Sequence, residues 1–291
     1  MTEKAIRRWA WKKSKERRWF LMAVLLVCLA PGMAVSRWGQ GLSWPLRVGV
    51  AWPLSFLVQM MVLGSTLVFL HVAQGEETSL KDIFTPFSRE WLRKAFVVTL
   101  IYLCVTSVVS GGTDLLRAQG QQIINGSGYL EAVNSRGSNG IYEIGITREM
   151  MLSNLAGSAI KSMGSWLGTI VSLFFGVLWF PVNYLLFLAP EKTGREVIRE
   201  GTSLGFHSFW KIVKFEFLTM FLPFLGLFLI AFLISLILMP LLEMVWPGIV
   251  LGIILLFAFL SLMIYGMTAC AKFAIDLLGK TKGGKGKKKR K

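Results

Sequence analysis

Residues 217–240 read FLTMFLPFLGLFLIAFLISLILMP, a run without a single charged side chain. An α-helix rises about 1.5 Å per residue, so a run of this length spans the roughly 30 Å hydrocarbon core of a bilayer. The core of a water-soluble domain does not need uncharged stretches of this length. This run therefore predicts a transmembrane helix.

Five other runs have the same character, and together they predict six spans at residues 19–36, 48–73, 95–112, 163–189, 217–240 and 244–271. Backbone polar groups in lipid must be satisfied within a segment, which favours helices over the shorter, alternating strands of a barrel. The chain is 54% hydrophobic and only 16% charged, which excludes a soluble enzyme, a disordered chain and a disulfide-stapled secreted domain. The predicted fold class is all-α, a polytopic membrane protein with six transmembrane helices and cytoplasmic-face amphipathic helices.

The basic residues are distributed unevenly among the segments that connect these spans. Residues 1–18, the two loops 75–95 and 190–214, and the segment from 271 onwards carry 26 of the 32 Lys and Arg residues. Basic residues are enriched in cytoplasmic segments of membrane proteins. Both termini are therefore predicted to be cytoplasmic.

Three regions are predicted along the chain. Residues 1–18 form a basic cytoplasmic segment, residues 19–278 form the membrane domain, and residues 279–291 form a disordered, Lys-rich cytoplasmic tail. The membrane domain includes an outer loop at 113–150, which is rich in Gly, Asn, Ser and Gln and so favours turns and mobility.

Three basic segments that carry aromatic residues precede outward-going spans, and two of them have a capping-box spacing, at Ser79 and Asp82 and at Thr193 and Glu196. We interpret them as amphipathic helices in the inner membrane interface; the alternative is cytoplasmic helices packed on their neighbours. Two Phe-x-x-x-Trp pairs fall in these segments. The predicted interfacial anchors are Phe87, Trp91, Phe206 and Trp210.

Small residues recur at four-residue spacing in the fourth and sixth spans. Such residues let helix backbones approach closely in lipid. The pattern favours packing within the chain over a homo-oligomer interface. The predicted helix-packing residues are Gly164, Gly168, Ser172, Gly176, Gly248 and Gly252.

The sequence offers no group that would carry catalysis. It has two histidines, His71 and His207, with no acidic cluster beside either in the sequence, and Glu216 falls near the end of a predicted span. No ionisable residue is predicted deep in a span, where it would indicate a proton or ion path. No catalytic residue, metal ligand or cofactor is predicted, and an enzyme is not expected.

The tail combines a high positive charge with no acidic residue. It could bind anionic lipid, or the RNA of a ribosome, or only fix the topology. The residues predicted to contact anionic lipid or RNA are Lys280, Lys282, Lys285, Lys287, Lys288, Lys289, Arg290 and Lys291.

The stretch 180–214 contains Phe-Pro-Val-Asn-Tyr-Leu-Leu-Phe-Leu-Ala-Pro-Glu, then Gly-Arg-Glu-Val-Ile-Arg-Glu-Gly-Thr-Ser, then Gly-Phe-His-Ser-Phe-Trp-Lys. It resembles a broad bacterial family of uncharacterised six-span integral membrane proteins, which is similar to the membrane domain of glycerophosphoryl diester phosphodiesterases. The resemblance implies a six-helix architecture and the bacterial cytoplasmic (inner) membrane. It implies no reaction and supplies no catalytic residue.

These observations favour a non-catalytic scaffold or accessory subunit of a membrane process. Its expected partners are the lipid bilayer, anionic lipids and an unidentified membrane protein, and a homo-oligomer is an open alternative. A ribosome- or insertion-associated factor that uses the basic tail is a second hypothesis. A permease for a small or lipidic molecule is a third.

Overall fold

A computed structural model describes residues 1–40, 46–128, 147–242 and 245–287. It is 91% helical, and the described residues contain no strand. The all-α prediction is confirmed. The helices are α1 Glu3–Glu16, α2 Arg18–Gln40, α3 Trp52–Gln74, α4 Leu92–Gly126, α5 Arg148–Leu188, α6 Gly194–His207, α7 Phe209–Glu216, α8 Leu222–Leu242 and α9 Val245–Lys287.

Three short elements of different geometry interrupt this series. Leu80–Phe87 is a 3₁₀ helix, and Arg47–Ala51 and Phe217–Phe221 are π-helical. Six helical segments of the described chain are long and apolar enough to cross a membrane, as the sequence predicts. They are Arg18–Gly39, Gly49–Gln74, Leu92–Gly126, Arg148–Leu188, Phe209–Ile234 and Val250–Gly279. The chain is a multi-pass membrane protein.

Two helices extend into the region that was predicted to be an outer loop. Helix α4 continues past Gly112 to Gly126, and α5 begins at Arg148. The physical reason is that Leu116, Gly120 and Ile124 follow one another at four-residue spacing and contact α5. The Gln residues there are also good helix formers. Residues 129–146 of the predicted loop lie outside the described part.

The chain forms two compact units. The first comprises Met1–Leu100 and Val177–Lys291, and the second is Ile101–Gly176. The largest side chains that are fully buried all belong to the first unit, and Phe69, Phe215 and Phe273 lead them. Phe215 and Phe273 stack with their ring centroids 4.1 Å apart. The core of the first unit therefore joins α3, α7 and α9.

The basic N-terminal segment is part of this core. Helix α1 buries Ile6 and Ala10. Its Trp11 ring meets Tyr265 of α9 edge-on at 5.7 Å, and the amino group of Met1 lies 3.2 Å from a carboxylate oxygen of Asp276. The antiparallel order of these two contacts shows that α1 runs along the part of α9 between Tyr265 and Asp276.

The 3₁₀ helix packs directly on α3. The capping box of Ser79 and Asp82 is present, and Ile83 is completely buried. A Cβ atom on Gly64 would lie 1.9 Å from the carbonyl oxygen of Ile83, so only glycine fits there. This amphipathic segment is therefore docked on a neighbouring helix, which is the packing expected of the alternative to an interfacial helix.

The second unit is a hairpin of α4 and α5. A Cβ atom on Gly120 would meet the carbonyl oxygen of Gly157 at 2.6 Å, and one on Gly168 would meet the Thr113 side chain at 2.5 Å. The Lys161 ammonium donates a hydrogen bond to the side-chain carbonyl of Gln121 at 2.9 Å. Close backbone approach and polar bridges between facing turns thus hold the two antiparallel helices together.

Candidate functional site

The clearest candidate site lies where two membrane spans of the first unit end. Helix α5 ends at Leu188, and the chain turns into α6 at Gly194. The amide and the hydroxyl of Thr193 both donate to the Glu196 carboxylate, at 2.9 and 3.0 Å. These two hydrogen bonds, the backbone one first, lower the pKa of Glu196. The reciprocal capping predicted from the sequence thus fixes the start of α6.

Helix α6 turns back and packs along the last turns of α5, where two glycines allow a close approach. A Cβ atom on Gly201 would lie 2.6 Å from the Val182 side chain, and one on Gly205 would lie 2.6 Å from the Leu178 carbonyl oxygen. Val197 occupies the same stripe and is fully buried. Because this stripe faces α5, other residues of α6 are left to line an open cleft.

The cleft has a volume of about 920 Å³ and an amphipathic lining. Its apolar part comes from the end of α5, from α6 and from the end of the α9 span, and its polar part comes mainly from α6. The lining residues are Leu185, Leu188, Lys192, Arg199, Glu200, Ser203, Leu204, His207, Ser208, Ile275, Leu278 and Gly279.

The charges in this cleft are only partly paired. Lys192 forms an ion pair with Glu200. Nδ1 of His207 lies within hydrogen-bond distance of the Ser203 carbonyl oxygen, at 2.9 Å. The Arg199 guanidinium forms no ion pair within 4.0 Å among the described residues. The cleft therefore presents one cation that is outside any close ion pair, although its charge acts on Glu196, above an apolar surface.

A second polar group lies inside a candidate span. Glu216 is within the span Phe209–Ile234 and directly precedes the π-helical segment Phe217–Phe221. Tyr184 and Cys270 lie within electrostatic range of its carboxylate. The hydroxyl of Thr219 is buried without a hydrogen-bond partner in the described structure. π-Helical turns in longer helices are frequent at functional sites.

The sequence predicts Glu216 near a span end. The candidate segment begins at Phe209, because α7 continues into the π segment without a break, so Glu216 lies in its first turns after Lys211 and Lys214. In the sequence, Glu216 is flanked by Phe215 and Phe217 and directly precedes the long uncharged run.

The acidic surroundings of His71 could not be predicted from the sequence. Its ring nitrogens lie 3.7 Å from a Glu76 oxygen and 3.6 Å from an Asp82 oxygen. Two acidic side chains therefore lie near His71, and only Glu76 is close to it in the sequence. The 3₁₀ helix returns along α3 and brings Asp82 to it. Among the described residues no group of three His, Cys, Asp or Glu side chains could hold a metal ion.

The predicted packing residues divide into several groups. Gly164 and Gly168 approach α4 closely, since a Cβ atom added to them would lie 2.9 Å from Leu116 and 2.5 Å from Thr113, respectively. Ser172 lines a shallow cleft of about 560 Å³ in the second unit. A Cβ atom on Gly176 or Gly252 would meet nothing within 4 Å in the described structure, so neither glycine packs closely against another helix of this chain there. Four-residue spacing continues along the helix surface, but the partner helix does not follow it. The surroundings of Gly248 lie outside the described part.

The two Phe-x-x-x-Trp pairs have different surroundings. Phe87 and Trp91 are half-buried, and the Trp91 ring lies 5.3 Å from Phe187. In contrast, Phe206 is 69% exposed and Trp210 is 80% exposed. Only the second pair thus presents aromatic surface of the kind that an interfacial anchor needs.

The basic tail begins as a continuation of α9. The backbone is helical through Lys287, although disorder was predicted from residue 279 onwards. A helix already nucleated in a span extends at little further cost. The positions Lys280, Lys282, Lys285 and Lys287 therefore lie on this helix. Lys288, Lys289, Arg290 and Lys291 lie outside the described residues.

Comparison with known proteins gives no relative that could transfer a function. The chain matches no protein-family model, no curated protein and no solved structure.

Proposed function

We propose that the protein is a non-catalytic scaffold or accessory subunit of a membrane process in the bacterial cytoplasmic membrane. The observation that carries this proposal is the docking of three amphipathic segments, α1, the 3₁₀ helix and α6, on helices of the first unit. Gly64, Gly201 and Gly205 let two of these segments, the 3₁₀ helix and α6, pack closely against the backbone of a neighbouring helix. The basic ends of the spans therefore form an ordered surface suited to holding a partner.

The placement of this surface in the cytoplasm rests on the distribution of basic residues. A phosphatase or fluorescent reporter fused after Lys291 tests it. We expect a reporter that is active only in the cytoplasm to be active. A reporter active only outside the cytoplasm would overturn the orientation.

The partner is best sought at the exposed pair Phe206 and Trp210, because exposed aromatic side chains are enriched at interfaces. Affinity purification after crosslinking in native membranes should recover a specific membrane protein. The double variant Phe206→Ala and Trp210→Ala should lose it. Trp166→Ala, which removes a 70% exposed ring from the second unit, is the matched control. If no protein is enriched over an unrelated membrane protein, the scaffold proposal fails.

The group around Glu216 favours a second candidate, a permease for a small or lipidic molecule. A carboxylate and an unsatisfied hydroxyl within a span are the kind of groups that mark a transport path. Uptake into vesicles by the wild-type protein and by Glu216→Gln tests it, and substrate uptake that is lost only in the variant would favour the permease. Equal uptake by both proteins and by empty vesicles would exclude it.

A further inference from the structure

We propose that the cleft between the end of α5, α6 and the end of the α9 span is a binding site for one anionic phospholipid. The inference rests on the proposed membrane placement but is independent of the scaffold role. Three features of the cleft support it, namely its position, its lining and its charge.

The position of the cleft corresponds to the level of lipid headgroups. Its lining includes Leu188, where α5 ends, and Ile275 and Leu278 of α9, which flank the charged Asp276 beyond the long apolar run of that helix. A span ends where the hydrocarbon core gives way to headgroups. A cleft that opens between two such ends is accessible to a lipid from the bilayer.

The lining fits an amphiphile better than a soluble polar molecule. Leu185, Leu204 and Leu278 supply apolar surface along which an acyl chain can lie. Arg199 and Lys192 supply cations, and Ser203 supplies a hydroxyl that can bind a glycerol or phosphate oxygen. Guanidinium and phosphate groups form short, charge-assisted hydrogen bonds.

The charge of the cleft selects an anionic lipid. Lys192 is already paired with Glu200, which leaves Arg199 as the cation available to a phosphate. The basic tail follows Gly279 in the sequence and adds eight positive charges to this end of the chain. The same charges disfavour the tail itself as the occupant, because it would bring like charges to Arg199.

The test uses the full chain purified in detergent and reconstituted in vesicles of phosphatidylglycerol and phosphatidylcholine. Native mass spectrometry counts the lipids retained by the wild-type protein and by Arg199→Ala. Arg195→Ala is the matched control, because Arg195 is exposed on the same helix but does not line the cleft. One basic residue near an anionic surface contributes about 1 kcal/mol, which is about fivefold in affinity.

We expect Arg199→Ala to lower the retention of one phosphatidylglycerol by about fivefold or more, and Arg195→Ala to have a clearly smaller effect. Ser203→Trp, which fills the cleft without removing a charge, should also lower retention. Circular dichroism and thermal unfolding verify that each variant is folded. Inorganic phosphate added to the wild-type protein should not displace the lipid, because it lacks acyl chains.

Three results would overturn the proposal. The first is an equal loss in Arg199→Ala and Arg195→Ala, which would indicate a general surface attraction. The second is unchanged retention in both Arg199→Ala and Ser203→Trp. The third is displacement by inorganic phosphate alone, which would indicate a site for the free anion. A partner recovered by crosslinking together with any of these results would leave the scaffold role standing while this site fails.

Discussion

At the residue scale, single glycines determine which surfaces of the helices can meet. Gly64, Gly201 and Gly205 each face backbone atoms of another segment at distances that leave no space for a methyl group. Their effect comes from close approach and not from unusual backbone angles, because among the described glycines only Gly75 and Gly128 have positive φ. The addition of one carbon atom at any of these positions should therefore lower the stability of the first unit.

Replacing Gly64 with alanine should destabilise the protein. The added Cβ would lie 1.9 Å from the Ile83 carbonyl oxygen, a backbone atom that cannot rotate away. Overpacking of this kind costs about 1–3 kcal/mol. Thermal unfolding of the purified protein in detergent measures the loss. Gly226→Ala on α8, where a Cβ meets no atom within 4 Å, should be neutral or stabilising; equal losses in both variants would refute the explanation.

The capping box of α6 should depend on pH. The pKa of Glu196 is lowered from 4.5 by the hydrogen bonds from Thr193, so its carboxylate is more stable in the folded state than in the unfolded state. This contribution is fully present above the unfolded pKa near 4.5 and is lost as the pH falls through the lower folded value.

The stability difference between the wild-type protein and Glu196→Gln should accordingly shrink as the pH falls below about 4.5. Thermal unfolding at a series of pH values measures it. Glu77→Gln, which changes an exposed acid in a loop, serves as the control. A difference that stays constant through the acidic range would contradict the assignment.

At the scale of elements, the number of spans could be predicted from sequence, and several of their boundaries could not. Uncharged length alone indicates the six spans. The boundaries of α4 and α5 depend instead on the contact between Gly120, which is inside the predicted loop, and Gly157, which follows it. Glycines look like turn signals when read singly. Here they permit helix contact, and this becomes visible only when the partner helix is known.

The same limit applies to the candidate site. The capping box of Thr193 and Glu196 is local, so the sequence predicts it correctly. The cleft joins α6 to Ile275 and Leu278, residues far away in the chain that carry no motif. Asp82 beside His71 was missed for a related reason, because the direction of the 3₁₀ helix is set by its contact with Gly64.

Replacing Gly157 with valine should open the α4–α5 hairpin. A Cβ there would lie 2.7 Å from the Gly120 carbonyl oxygen, whereas one on Gly176 meets nothing within 4 Å. Hydrogen exchange of the amides in 113–126 should be slow in the wild-type protein, faster in Gly157→Val and unchanged in Gly176→Val. Rapid exchange of these amides in the wild-type protein would show that this segment is a loop after all.

At the scale of the whole molecule, the net charge of +16 is concentrated in few segments. The basic tail contributes half of it, and the ribosome hypothesis depends on that tail. Deleting 280–291 should leave the number of spans unchanged, because residues 280–291 contain only Lys, Arg, Gly and Thr and follow the last apolar run.

Co-sedimentation with ribosomes at increasing salt concentration tests whether the tail binds the ribosome. If the tail binds RNA phosphates, the intact chain should sediment with ribosomes at low salt and be released steeply as salt rises. The chain lacking 280–291 should not co-sediment at any salt concentration. Co-sedimentation that does not change on deletion would exclude the tail as the ribosome contact.

The packing of α1 on α9 has a consequence for biosynthesis. Trp11 is synthesised 254 residues before its partner Tyr265. At about 5–20 residues per second, synthesis of the intervening chain takes roughly 13 to 50 seconds. During this delay Ile6 and Ala10, which are buried in the finished molecule, have no α9 to pack against. We expect the amphipathic α1 of the nascent chain to bind the bilayer surface until α9 is inserted. During this period the membrane shields the apolar face of α1 from water.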